Sequence, residues 1–83
     1  MKKSLTRGTP ITVTWVDITG KSDWIDTEDF DRETPVTIIT RGIFISQDKK
    51  FLKIASTYHK DISQIADRNI IPLSVIEDIK CDE

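Results

Sequence analysis

The chain has 83 residues, a formal net charge of −2 from 12 basic and 14 acidic side chains, and one cysteine. A chain this short forms one domain with a thin core, and a single cysteine excludes an internal disulfide. The charge balance excludes a strong overall attraction to nucleic acid, and no apolar run approaches the roughly 20 residues that a membrane-spanning helix needs.

The apolar residues indicate the class of fold. They make up 37% of the chain and are mostly β-branched, with few leucines and one methionine. This mixture favours strands over amphipathic helices, so we expect a mostly β protein. The basic start of the chain has no apolar run behind it, so we expect no secretory signal and a cytoplasmic location.

The first residues are polar and precede a strand. Residues 1–9 predict a flexible N-terminal arm, followed by one domain over residues 10–80. From Ile11 onward, apolar and polar residues alternate, which is typical of a strand. The alternation puts Ile11, Val13 and Trp15 on one face, so we expect Trp15 in the core.

Residues 17–33 form the longest connection, and loops of this length in a small domain are often functional. We expect a helical turn over residues 27–30, capped by Asp26 or Thr27. Trp24 lies in the middle of this loop and has two interpretations. It either folds back over an open end of the domain, which we expect first, or forms part of a contact surface.

The second strand is predicted over residues 36–46 and changes phase within its length. Ile38 and Ile43 have opposite parity, and Gly42 lies between them. A phase change at a glycine predicts a bulge or a sharp bend there. The polar residues 47–50 then predict a tight hairpin turn.

The rest of the chain predicts the remaining strands. A strand returns over residues 51–57, whereas residues 58–68 fit either a short helix or an excursion between strands. Pro72 ends the next short strand because it lacks an N–H group, and a single 3₁₀ turn over residues 73–75 leads to the last strand. The sequence therefore predicts one small five-stranded β-barrel, with a 3₁₀ turn before its final strand.

This order of elements is that of SH3-like and Sm-like small barrels, and short motifs add a further resemblance. The first motif is an alternating strand (Ile11, Val13, Trp15 and Asp17), and the second is a tryptophan in the following loop (Trp24). The third is a closing Ile-Pro with two later isoleucines (Ile71, Pro72, Ile76 and Ile79). The chain resembles a family of short phage and prophage proteins over residues 11–79. The resemblance implies an SH3-like barrel and a bacterial host cell, and it transfers no activity. The strongly acidic loop departs from the family pattern.

Contact residues are predicted in two loops. An acidic loop steers a basic partner, and aromatic side chains supply contact area at small entropic cost. The predicted partner-binding residues are Trp24, Asp26, Glu28, Asp29, Tyr58 and His59. We therefore expect a non-enzymatic module that acts through protein–protein contacts.

Two other functions stay open at this point. A cluster of basic residues around Phe51 resembles a site for single-stranded nucleic acid. The cluster consists of Arg41, Lys49, Lys50 and Lys53. With edge strands paired across subunits, such a barrel would form an oligomer that binds RNA or a small nucleotide. The other alternative is a minor structural component of a virion. Lysines at a hairpin turn are also often simply solvated and bind nothing, and we favour this interpretation of the basic residues.

The remaining chemistry-bearing residues predict neither catalysis nor a cofactor. The acidic run lacks the glycine position of a calcium loop, so we expect no metal. His59 is the sole histidine, with Ser56, Asp61 and Ser63 near it in sequence, but no nucleophile motif or phosphate loop accompanies it. Cys81 has one basic neighbour and is assigned no role.

Overall fold

The computed structural model describes residues 5–18 and 22–82, and it is mostly β. Its strands are β1 (Pro10–Asp17), β2 (Val36–Gln47), β3 (Phe51–Tyr58), β4 (Ile65–Pro72) and β5 (Ile76–Cys81). A one-turn helix, α1 (Thr27–Phe30), lies between β1 and β2, and a 3₁₀ turn (Leu73–Val75) precedes β5. The predicted five strands and the 3₁₀ turn before the last of them are confirmed.

The five strands form one antiparallel sheet in the order β4-β3-β2-β1-β5. The hydrogen-bonded ladder is open, with β4 and β5 at its edges, so the predicted closed barrel is not confirmed. Of the segment 58–68, which fitted either a helix or an excursion, residues 59–64 form a loop between strands and residues 65–68 belong to β4.

One face of the sheet carries the core. Its buried residues come from β1 to β4, and they are Ile11, Val13, Phe44, Leu52, Ile54 and Ile71. Side chains of the 3₁₀ turn and β5 pack against this cluster, as does Trp15. The Trp15 indole is partly buried, and its Nε1 donates a hydrogen bond to Thr40 Oγ1 at 3.0 Å. Both edge strands therefore contribute to the same apolar cluster.

The predicted break in β2 lies three residues later than the sequence indicates. The register of β2 with β1 is continuous from Val36 to Ile43. The shift occurs against β3, between Phe44 and Ser46. The bulge is therefore near Ile45. The parity change in the sequence has another origin: Ile43 is buried on the face of the sheet opposite to that of Phe44, without a change of register.

Gly42 has a different role, which is to permit a close approach of two backbones. A Cβ atom placed on Gly42 would lie 2.3 Å from the carbonyl oxygen of Ala55 in β3. No real Cβ tolerates that distance, so only glycine fits. At this residue β2 still pairs with β1, and from the next residue it also pairs with β3.

The arm predicted over residues 1–9 is bound to the sheet in its second half. Gly8 N donates to Phe44 O, and Phe44 N donates to Thr9 O, each at 2.8 Å. Leu5 packs against the core cluster. Gly8 and Thr9 thus extend the pairing of β1 with β2, and Leu5 contacts the core. The first four residues lie outside the described part of the chain.

Replacing Gly42 by alanine should destabilise the fold strongly. The added methyl group overlaps a backbone carbonyl, which cannot rotate away as a side chain would, so the strands must separate. We expect a loss of at least about 2 kcal/mol in the free energy of unfolding, measured by urea denaturation. Thr37→Ala, an exposed change in the same strand, serves as the control and should cost less than about 1 kcal/mol. Equal stabilities of Gly42→Ala and the parent chain would contradict the close approach.

Candidate functional site

A two-stranded ribbon extends beyond the rest of the sheet. β3 pairs with β2 over residues 43–47, and β5 pairs with β1 over residues 11–15. Beyond these limits β1 and β2 pair with each other, as far as Asp17 opposite Val36. We call residues 16–18 and 22–39 the acidic projection; its last two residues lie opposite Trp15 and Thr14, where β1 also pairs with β5, but have no β3 neighbour. The molecule is accordingly elongated, with extents of 51 × 30 × 23 Å.

Exposed apolar side chains concentrate on the acidic projection. Among the described residues, nine large hydrophobic side chains are exposed, and six of them belong to the acidic projection: Ile18, Trp24, Ile25, Phe30, Val36 and Ile39. Trp24 is 100% exposed. The expectation that it folds back over an end of the domain is wrong, and its interpretation as a contact residue stays a prediction. The acidic loop does not pack on the core because the ribbon of β1 and β2 that holds it extends away from the other strands.

Three of these side chains line a groove of about 330 Å³. The lining residues are Ile18, Asp23, Ile25, Phe30, Glu33, Thr34 and Pro35. Phe30 is held there by α1, whose predicted helical turn is confirmed. The backbone N–H groups of Asp29 and Phe30 both donate to Asp26 O at 3.0 Å. Asp26 is thus the first residue of the turn, although its side chain makes no capping bond.

The acidic side chains lie around this groove and are exposed. Asp23 and Glu33 are part of its lining, whereas Asp26 and Glu28 lie at the start of α1. Arg32 forms an ion pair with Asp29 at 3.1 Å, with both side chains more than half exposed. Pairs of this kind contribute little to stability, and this one leaves the projection strongly acidic. An apolar groove with an acidic rim favours a ligand that combines positive charge with apolar side chains.

Tyr58 and His59, the second predicted contact segment, lie elsewhere. Tyr58 ends β3 and is 45% exposed. His59 follows it in a tight loop, where its N–H donates to Gln64 O at 2.9 Å. His59 lines a shallow depression with Lys60 and Asp61, separate from the groove on the acidic projection. The structure therefore places the two predicted contact segments in separate regions, where the sequence suggested one combined surface.

Asp61 has a local structural role in this loop. Its carboxylate accepts a hydrogen bond from Ser63 N at 3.0 Å. Hydrogen bonds from the Ser63 side chain and backbone lower the pKa of Asp61 below its usual value of 3.8. This carboxylate therefore shapes the turn after His59. The absence of catalysis stays a prediction.

The predicted basic patch divides into two parts. Arg41 lies within β2 opposite Thr12, and its carbonyl accepts a hydrogen bond from Ser56 Oγ. Lys49 is eight residues further along, roughly 25 Å for an extended strand, so Arg41 is not part of a hairpin patch. Lys53 is paired with Ile70 on β4 and does lie beside the turn.

Strand pairing adds two residues to this patch that the sequence did not single out. Arg68 and Ile70 lie on β4, and their neighbour Ile71 faces the core. They share the outer surface with residues of β3, and we call Lys50, Phe51, Lys53, Arg68 and Ile70 the hairpin face. Alternation along β4 could have placed Arg68 and Ile70 on one surface, but only the register brings them beside Lys53.

Asp48 holds the turn of the hairpin. Its Oδ1 accepts hydrogen bonds from Lys50 N and Phe51 N, each at 2.8 Å. These two bonds, with a smaller contribution from the charges of Lys53 and Lys50, lower the pKa of Asp48 below 3.8. The Asp48 carboxylate therefore holds the turn backbone, and the side chains of Lys49, Lys50 and Lys53 are exposed around it.

Comparisons with known proteins identify no relative. The chain matches no protein-family model, and no curated protein or solved structure is significantly similar to it. Within residues 5–18 and 22–82, no group of three histidine, cysteine or acidic side chains is placed to hold a metal ion. No helix in the same residues is long and apolar enough to cross a membrane.

The two tryptophans should respond to mutation in opposite ways. Trp24→Ala should change the free energy of unfolding by less than about 0.5 kcal/mol, because this side chain touches water on all sides. Trp15→Ala should cost about 3 kcal/mol, because it removes core contacts and the hydrogen bond to Thr40. Urea denaturation followed by far-UV circular dichroism measures both. A comparable loss for Trp24→Ala would contradict its placement.

Proposed function

We propose that this chain is a small binding module, and that the acidic projection docks a basic and partly apolar segment of a protein partner. One observation carries the proposal: six of the nine exposed large hydrophobic side chains among the described residues lie on this one acidic projection. A concentrated apolar surface with a polar rim is typical of a protein interaction site, whereas scattered exposed residues are ordinary.

The energetics of docking support the same surface. Trp24, at 100% exposure, and Phe30, at 62%, would each be stabilised by leaving water, at about 25 cal/mol per Å² of apolar area. Tryptophan is also the residue type most enriched among energetic hot spots at interfaces. The groove beside Phe30 accommodates an apolar side chain of the partner, and the surrounding carboxylates attract lysine or arginine next to it. Tyr58 and His59 would form a second, smaller contact.

The alternative of an oligomeric barrel that binds RNA or a nucleotide has weaker support. Its basic residues remain near the hairpin, but the edge strands are poorly suited to pairing across subunits. β4 contains Asp67 in a left-handed conformation, with φ at 48°, and ends at Pro72, which lacks an N–H group. β5 has only six residues and pairs with β1 through a register shift. Interruptions of this kind are how edge strands avoid edge-to-edge pairing.

The SH3-like barrel is also part of this proposal. Its support is that all five strands, including both edges of the open ladder, contribute to one apolar cluster. A single sheet can bury one face against itself only by coiling. An origin in a phage or prophage and action in the cytoplasm of a bacterial host rest on the sequence resemblance. A role as a minor virion component would use the same surface for a virion partner.

Peptide selection tests the docking proposal. Peptides selected on the purified chain from a random library should be enriched in lysine or arginine together with aromatic or aliphatic residues. Trp24→Ala should weaken their binding about 10- to 30-fold, since a buried tryptophan anchor is lost. The double variant Asp26→Lys/Glu28→Lys should weaken it as well and reduce its salt dependence. Fluorescence anisotropy of the labelled peptides measures each affinity.

The matched control is Glu77→Lys, which reverses a charge at an exposed position of β5, next to Ile76 opposite Trp15 and outside the loop that carries Trp24, Asp26 and Glu28. It should leave the affinity unchanged within a factor of two or so. Selected peptides without basic residues, or peptides that bind the Trp24 and Asp26/Glu28 variants as tightly as the parent chain, would overturn the proposal.

A further inference from the structure

Opposite charges lie at opposite ends of the molecule. Residues 17–33 contain seven acidic and two basic side chains, whereas residues 47–53, at the hairpin, contain three basic side chains and one acidic one. β2 connects the two regions and has 12 residues, which span about 40 Å when extended. Even with a bend in β2, that separation exceeds the screening length of about 8 Å at physiological salt several times over. The two charged regions therefore cannot neutralise each other within one chain.

The hairpin face combines positive charge with exposed apolar area. Phe51 is opposite Pro72, and Lys53 is opposite Ile70. The alternate residues of both strands face the core, so Phe51 and Ile70 point outward, with exposures of 38% and 62%. Lys53 lies between them, and Lys50 adjoins Phe51. The resulting surface is basic with an apolar centre.

This surface is held rigid by backbone hydrogen bonds. Asp48 fixes the N–H groups of Lys50 and Phe51, and Leu73 N donates to Lys50 O at 2.8 Å. The last of these bonds ties the hairpin to the 3₁₀ turn. A rigid surface loses little conformational entropy on binding, which favours association.

We propose that the hairpin face docks the acidic projection of a second copy of this chain. The inference rests on the proposed function, and it names a copy of the chain itself as one partner of the acidic projection. The two surfaces are complementary in both respects, because each pairs exposed apolar side chains with charge of opposite sign. Since they lie at opposite ends of the molecule, the contact is head-to-tail, and a dimer keeps one free surface of each kind, to which further copies can add.

A protein occupant fits the hairpin face better than a nucleic acid does. Phe51 is the one aromatic ring of the face, and the more exposed Ile70 offers neither a flat ring for base stacking nor a donor for phosphate. The chain as a whole is acidic, with a net charge of −2, and carries its strongest negative charge on the acidic projection. A long polyanion would be repelled by this negative charge, whereas another copy brings only the tip of its acidic projection to the hairpin face.

A complementation experiment tests this inference directly. The variant Lys50→Glu/Lys53→Glu reverses the hairpin face and keeps the acidic projection, whereas Asp26→Lys/Glu28→Lys does the converse. The parent chain should form larger species as its concentration rises, and high salt should dissociate them. Each variant alone should associate at least about 30-fold more weakly. An equimolar mixture should form 1:1 dimers that neither variant forms alone, because one intact pair of surfaces remains. Sedimentation velocity measures all four samples.

Glu77→Lys is again the control and should assemble like the parent chain, and circular dichroism establishes that each variant is folded. A parent chain that stays monomeric up to about 1 mM at low salt, or a mixture that forms no dimer, overturns the inference. If the acidic projection still binds basic peptides in that case, the proposed function stands without self-association. If it binds neither, both fall. Retention of a labelled single-stranded oligonucleotide by the parent chain but not by Lys50→Glu/Lys53→Glu would assign the hairpin face to nucleic acid and also overturn it.

Discussion

The contact between the backbones of β2 and β3 at Gly42 is the constraint on which the other features depend. The carbonyl of Ala55 occupies the space that a side chain at this position would need. Next to this residue β2 changes partners, with its first part paired to β1 and its last part paired to β3. This division brings Val13 and Leu52, from different parts of the sheet, into one core. It also leaves the start of β2 with a single neighbour.

Because this part of β2 pairs only with β1, the proposed binding surfaces are accessible. Two strands alone cannot bury the apolar side chains at the end of their ribbon, so Trp24 and Phe30 remain in water. At the other end of β2, the tight hairpin fixes Lys50 and Phe51 on a stable part of the sheet. One long strand thus separates an acidic apolar surface from a basic apolar one. The separation prevents the surfaces from meeting within the chain and leaves both free for other molecules.

Local patterns predict much of the fold and little of the site. Alternation around Val13 and the Pro72 boundary predict the strands and the 3₁₀ turn, because these features depend on neighbouring residues. The sequence also indicates that Gly42 is special, but it places the bulge there. The prediction that Trp24 folds back over the domain is wrong because a sequence does not show how far a hairpin extends from the core. Ile70 was missed because its position beside a lysine depends on strand register, which is non-local.

Solution X-ray scattering tests most directly whether the acidic projection stands away from the core. The structure has a radius of gyration of 15.8 Å and a longest extent of 51 Å. A compact domain of this length would have a radius of gyration of about 12 Å. At high salt and low concentration, where the chain is monomeric, we expect about 16 Å and an asymmetric distance distribution. A value near 12 Å with a symmetric distribution would mean that the loop packs on the domain, and would contradict this account.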